Sequence, residues 1–548
     1  IPAFPFRPGS FLIPPSRTTP SPVPTSRTNR HLLTLAIINS TMNAFQTLLN
    51  RSGTMAAILG ALVLGAAHAA DQDKTGLLKH DESNAFDGYT LFAPLSSANT
   101  YLIDMKGRVA HTWKGSSPAA NAVYLLEDGR LLKTYKPANV TGFGHGGAGG
   151  GLRLVDWNGS VLWEFTYADK SVRAHHDAQA LPNGNILLIA WEMKTRAQAI
   201  AAGRDPNLLQ SDELWPDHLV EIKPEGRNGG RIVWEWRVWD HLIQDRDKTK
   251  ANYGVIADHP ELIDINNTAR GQADWNHLNS VHYNAGLDQI ILSSHNQHEV
   301  WIIDHSTTTE EARGHTGGKH GKGGDLIYRW GNPQVYQAGW PDEQQLFAQH
   351  DAQWIPEGYP GAGAILVFNN GSRRGRAFST VDEIVPPLRK DGSYELSDIA
   401  PYGPAQPRWT YSQQDWYAQN ISGTQRLPNG NTLICSGPQG RFIEVTPAKE
   451  TVWEFKVPQM AGGPGMGQPP GGRPGGPPAL QQRQPSSGNR FGPPGGGRSG
   501  RGGPGGEGTA VFRAIRYAPD YAGFKGKTLT SGESLEKVLS RETSRRRR

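Results

Sequence analysis

One unit recurs along this chain of 548 residues, and it restricts the fold to a repeat architecture. It opens with an apolar run that ends on a Pro-x-Gly turn. His176-Asp-Ala-Gln-Ala-Leu-Pro-Asn-Gly184, His350-Asp-Ala-Gln-Trp-Ile-Pro-Glu-Gly358 and Thr424-Gln-Arg-Leu-Pro-Asn-Gly430 show this start. It closes on Trp-Glu-aromatic: Val161-Leu-Trp-Glu-Phe165, Ile232-Val-Trp-Glu-Trp236 and Thr451-Val-Trp-Glu-Phe455. A fourth unit opens at Asn121-Ala-Val-Tyr-Leu-Leu-Glu-Asp-Gly129, and a more diverged fifth runs from His277 to Trp330. Each unit holds four short apolar runs separated by turns. Asn-Gly and Asp-Gly between such runs favour tight hairpins, because both central residues need positive φ. No long amphipathic helix intervenes, and four-stranded units repeated radially build a propeller.

The two ends supply a sixth unit. Residues 88–113 match the second, third and fourth strands of a unit, with no first strand before them. Residues 509–519 match a first strand with no unit after it. The expectation is an all-β, six-bladed β-propeller whose C-terminal strand closes the N-terminal blade. Closure also removes open sheet edges, which otherwise recruit other chains.

Composition sets the boundaries. Much of the excess Gly and Pro falls in 461–508, too poor in apolar residues to bury a core, so this insertion is expected to be disordered. Arg51 followed by the apolar run Met55–Ala67 and by Ala67-His-Ala69 reads as a secretory signal peptide. The assignment is a leader over 1–41, a signal peptide over 42–70 starting at Met42 or Met55, and a linker over 71–87. The propeller occupies 88–460 and 509–528, and a basic tail follows over 529–548. The mature protein is then expected in the periplasm or secreted, with no membrane span. A net charge of +5, without a basic stripe, argues against nucleic acid. The single Cys, Cys435, excludes an intrachain disulfide and reads as an inert core thiol.

The innermost strand of each blade faces the axis. Counting six residues back from the turn Pro places His176, His350, Ser422 and Arg513 at one level. The same count gives Asn121 and His277 in the remaining blades. Packing alone does not select imidazole at one position in three blades, so this layer is the candidate site. His295 and His298 lie nearby in sequence, on the second strand of the His277 unit. His175 should point away from His176 if the strand is regular. Trp354, just past His350, is a candidate stacking wall for an aromatic ring.

The motif Asp274-Trp-Asn-His-Leu-Asn-Ser-Val281, followed by Ile291-Leu-Ser-Ser-His295 and Gln349-His-Asp351, resembles the bacterial arylsulfate sulfotransferase family. The resemblance covers roughly 88–525 without the Gly/Pro insertion. It implies a periplasmic propeller that moves a sulfuryl group from a phenolic sulfate ester to a phenol through a sulfohistidine, with no nucleotide and no cofactor or metal. It also implies that His350 is the nucleophile, and that His277, His176 and His295 complete the catalytic set. Arg513, Asn279, Asn121 and Trp354 are then the substrate-binding candidates. The family usually carries Arg where this chain has His295, so Arg513 or a protonated His295 is expected to hold the sulfuryl oxygens. The expected partners are a small aryl sulfate donor and a phenolic acceptor; a homodimer stays open. Two other readings fit the same residues: a His-ligated copper or iron enzyme, and a non-catalytic propeller that binds sulfated ligands.

Overall fold

A computed structural model describes residues 74–267, 272–373, 375–397, 401–459 and 508–546. The leader, the signal peptide and nearly all of the Gly/Pro-rich insertion lie outside the described residues. Six antiparallel sheets of blade form repeat within the unit Thr75–Arg548. Blade 1 takes its innermost strand, Val511–Tyr517, from the C-terminal part of the chain. That strand pairs with Tyr89–Pro94, and Thr100–Ile103 and Val109–Trp113 follow outward. Blade 2 begins at Ala119–Leu125, blade 3 at Val172–Ala180, blade 4 at Leu278–Asn284, blade 5 at His350–Trp354 and blade 6 at Gly423–Arg426.

The repeated Trp explains how neighbouring blades hold together. In five blades an outer-strand indole N–H donates to a carbonyl in the next blade. Trp163 reaches Gly229 at 2.7 Å, Trp236 reaches Gly324 at 2.7 Å and Trp330 reaches Pro404 at 2.6 Å. Trp409 reaches Pro447 at 3.0 Å, and Trp453 closes onto Met105 of blade 1 at 2.8 Å. All but Trp409 are buried. Each buried indole adds about 2–3 kcal/mol of burial and satisfies its one donor.

The chain ends differ from the expectation. The stretch read as a linker contributes Gly76–His80, a fifth strand that covers the edge of blade 6 by pairing with Thr451–Lys456. The basic tail forms the helix Leu535–Arg546, which buries Leu535 and Leu539 beside Trp453 and Phe455. Its Glu542 accepts from Tyr101 and Asn99, both at 2.9 Å. The sequence hides this helix, because its two core leucines are diluted by six Arg and Lys between Lys537 and Arg548.

One irregularity positions the site. In five innermost strands the pairing register slips at the axial level: at 120–122, 175–177, 279, 351–352 and 512–513. A bulge re-aims side chains that a regular strand would send to alternate faces. Left-handed φ values mark the same level: 49° at His176, 54° at His277, 58° at Asp351 and 90° at Ser422. Non-glycine residues adopt this region rarely, and it clusters at functional sites.

Candidate active site

The axial layer brings five histidine rings into one ladder, and a loop adds a sixth. His277 lies 4.5 Å from His176 and 5.0 Å from His295 between ring centroids. His295 lies 5.3 Å from His350, and His176 lies 5.1 Å from His175. The bulge at 175–177 overturns the alternation expected of His175. Its Nδ1 meets the Nδ1 of His176 at 2.8 Å, and its ring stacks on Trp191. Its Nε2 lies 2.7 Å from Asp217 Oδ1, without hydrogen-bond alignment.

His145, which sequence reasoning missed, comes from the Gly-rich loop between the second and third strands of blade 2. Its Nδ1 lies 2.8 Å from Asp274 Oδ2, and its ring lies 5.4 Å from His277. The glycines allow this approach. A Cβ on Gly147, whose φ is +82°, would lie 2.0 Å from the His176 ring. The loop carries no repeat signature, so only the folded chain shows that it covers the layer.

Hydrogen bonds set the tautomers of the key rings. His350 Nδ1 faces two acceptors, Asn370 Oδ1 at 2.8 Å and Ala348 O at 3.2 Å. The Asn370 amide is fixed because its nitrogen donates to Ala418 O and Ile421 O. The His350 proton therefore sits on Nδ1, and Nε2 carries the lone pair. Burial pushes the His350 pKa down to about 3, assisted by the nearby His277 and opposed by the Asn370 bond, so the ring is neutral at pH 7. His277 Nδ1 bonds Asp274 Oδ2, while Asp274 Oδ1 accepts from Trp191 at 2.9 Å. Burial alone would raise the Asp274 carboxyl, but the His277 imidazole and the bonds from His145 and His277 hold it well below the usual range.

The candidate charges behave otherwise than expected. Burial, with His277 and His350 adding to it, drives His295 well below the ordinary imidazole value, so it is neutral and not a fixed cation. Its Nδ1 faces Asn296 Oδ1 at 2.8 Å, which leaves the lone pair on Nε2. Arg513 is spent within the protein. It bonds Asp177 Oδ2 at 2.7 Å, Tyr124 and the Asn279 carbonyl, and its Nε lies 2.9 Å from Asp351 Oδ1. One guanidinium between two buried carboxylates offers no surplus charge to a ligand, which corrects its assignment as the sulfate clamp.

Three further candidates are structural in this geometry. Asn121 donates to Gly147 O at 2.7 Å and so ties the Gly-rich loop to blade 2. Asn279 is fully buried and donates to Gln349 O at 2.8 Å, holding the residue before His350. Trp354 is 2% exposed and packs in the core of blades 4 and 5, so it is not a wall of the cavity. Cys435 is buried beside Phe442 and its thiol is pushed up by burial, as expected of an inert core residue.

The family model for arylsulfotransferase (ASST) matches residues 77–460. This chain belongs to the arylsulfotransferase family. The matched region spans blades 2 to 6 and three of the four strands of blade 1, and membership supports an arylsulfotransferase activity in general terms. No curated protein matches the chain. Three solved structures resemble it at a distance. A protein of unknown function from Bacteroides caccae is 11% identical, with 68% of this chain and 94% of that chain covered and a TM-score of 0.36. The Cps50 (Swd1) β-propeller domain of Myceliophteria thermophila is 10% identical over 70% and 91%, with a TM-score of 0.35. A virginiamycin B lyase from Staphylococcus aureus is 9% identical over 71% and 85%, with a TM-score of 0.33. Likeness this distant says nothing about the chemistry of this chain.

One subset of the layer also has the composition of a metal site. His145, His277 and Asp274 present ligand atoms within 4.8 Å of one another.

Proposed function

We propose that this protein transfers a sulfuryl group from a phenolic sulfate ester to a phenol through a sulfohistidine at His350, without a nucleotide. The observation that carries the reading is the tautomer of His350. Asn370 and Ala348 hold its proton on Nδ1, and the neutral ring presents a lone pair on Nε2. Neutral imidazole is a competent nucleophile that splits one transfer into two easier steps.

In the first step the Nε2 pair attacks sulfur and forms an N–S bond. The S–O bond to the aryl group breaks, and the phenolate leaves with the electron pair. His277, oriented by Asp274, carries the proton to that oxygen. In the second step the same ring takes the proton of the acceptor phenol, whose oxygen attacks sulfur and restores His350. Sulfuryl transfer, like phosphoryl transfer, leaves the protein chiefly to position groups and stabilise charge. With Arg513 neutralised, stabilisation falls to the imidazoles of the layer; burial keeps His176 and His295 neutral before substrate arrives, and binding of the anionic ester draws a proton into the layer. The protein acts outside the cytoplasm, following export by the segment 42–70; the N-terminal sequence of the exported protein tests this.

Brief exposure to an aryl sulfate, followed by intact-mass measurement and proteolysis, should place an added sulfuryl group on the peptide containing His350. The kinetics should be ping-pong and independent of any sulfated nucleotide. The arrangement of His145, Asp274 and His277 favours a second reading, a copper or iron enzyme at the same layer. Wild-type protein that never gains the sulfuryl mass, yet purifies with stoichiometric copper or iron, would replace the first reading with the second.

A further inference from the structure

A second histidine cluster lies at the outer edge of blades 3 and 4, where the proposed transfer makes no demands. His241 follows the last strand of blade 3, Gly229–Arg237. His315 and Asp325 belong to the insertion between Glu299–Asp304 and Tyr328–Trp330 of blade 4. His241 Nδ1 and His315 Nδ1 both lie 2.8 Å from Asp325 Oδ1. His241 Nε2 lies 2.9 Å from the Ala312 carbonyl. Both nitrogens of the buried His241 ring therefore face oxygen acceptors. A neutral imidazole has one N–H and a carboxylate has none, so this arrangement needs one further positive centre between them: a shared proton or a metal ion.

The surroundings favour the ion. A metal-ligating histidine usually donates its other ring N–H to a carbonyl or carboxylate, which fixes its tautomer, and Ala312 O occupies that place. The carbonyl is itself positioned, since Ala312 ends the short helix Thr309–Ala312, capped by Thr308 and Glu311. His241 stacks on Trp236 at 5.7 Å, and the Trp236 indole donates to Gly324 O. A Cβ on Gly324 would lie 2.1 Å from Ala312 O and 2.7 Å from His241 Nε2, so only glycine permits this closeness. His241 and Asp325 are buried, with side chains 0% and 7% exposed, while His315 is 59% exposed. The cluster opens on a cleft of about 390 Å³ lined by His259, Glu261, Leu262, His315, Lys322 and Asp325.

We propose that His241 Nδ1, His315 Nδ1 and Asp325 Oδ1 bind a first-row divalent cation of the zinc type, with an open position toward this cleft. Two imidazoles and one carboxylate suit such an ion, and a fourth, non-protein ligand completes a tetrahedron. Ligand atoms separate to about 3.4 Å around an ion bonded at about 2.1 Å. Turning the exposed His315 ring opens one of these distances, and a small rotation of the Asp325 carboxylate opens its distance to His241. The ion joins segments 84 residues apart and staples the blade 4 insertion to blade 3. This inference does not depend on the sulfuryl-transfer reading.

Cobalt(II) titration of the chelator-stripped full chain tests it, because four-coordinate Co²⁺ gives visible d–d absorption. The expected result is a saturable band in the wild type that His315→Ala and Asp325→Asn both abolish and His145→Ala retains. Zinc should compete for the cobalt, with His315→Ala weakening zinc at least about tenfold. Zinc should also raise the Tm of the wild type but not of His315→Ala. A wild type that develops no band means that a proton, not a metal ion, joins His241 to Asp325, and this overturns the proposal. A band that survives His315→Ala places the ion elsewhere and overturns it equally.

Discussion

At the axis, His176, His295 and His350 lie against other imidazoles; at the outer edge of blades 3 and 4, His241 and His305 lie between oxygen acceptors. The residue type is the same, and the shift at His305 runs opposite to that at the axis. Burial pushes the axial rings below their ordinary value, and neighbouring imidazoles deepen the effect. His305 is partly buried, which would lower it. Glu221 at 2.9 Å and Asp288 at 3.0 Å outweigh that and raise it. What faces a ring therefore decides whether it is a lone-pair donor or a cation, and only the first kind suits a nucleophile.

The largest effect should come from removing the axial lone pair. His350→Asn should lower aryl sulfate turnover by on the order of 10⁴-fold with the fold intact, as loss of an essential nucleophile does. Turnover within tenfold of wild type, in a variant with an unchanged circular dichroism spectrum, would move the nucleophile to another ring.

Next is the charge held out of the axial chemistry. Arg513→Met leaves Asp177 and Asp351 buried without their cation, and should cost about 3–5 kcal/mol in denaturant unfolding. A loss mainly in KM, with stability unchanged, would return Arg513 to the substrate.

The two regions should also separate by pH. The folded pKa values of His175, His176, His295 and His350 lie below the unfolded value near 6.5. As pH falls, the unfolded chain takes up protons first, so stability is lost below about pH 6.5 and continues to fall toward the folded values. Each ring contributes up to about 1.4 kcal/mol per pH unit. Denaturant midpoints at pH 7.5 and 5.5 measure the slope, and a flat profile would contradict neutral axial rings. Binding of an aryl sulfate should take up protons, which calorimetry in two buffers of different ionisation enthalpy reads directly.

The smallest effect has the opposite sign. The raised pKa of His305 gives stability that is fully present below the unfolded value near 6.5 and is lost as pH rises through the folded value. His305→Gln should remove that alkaline limb at a cost of about 1 kcal/mol at pH 6, read from thermal melts at pH 6 and 9. A wild type equally stable at both values would show His305 to be neutral.

Sequence alone determined the six four-stranded units, the innermost strand of each and the level at which His176, His277 and His350 meet. Those properties follow from local periodicity, turn chemistry and a repeat that aligns to itself. Tertiary structure decided what each of those residues does. Axial bulges turned His175 inward, the Gly-rich loop brought His145 over the layer, and two aspartates from different blades took the charge of Arg513. Trp354 passed from the cavity to the core, and the terminal basic run became a docked helix. A side chain's protonation state and direction depend on atoms scores of residues away in the chain, and a repeat pattern carries no information about those atoms.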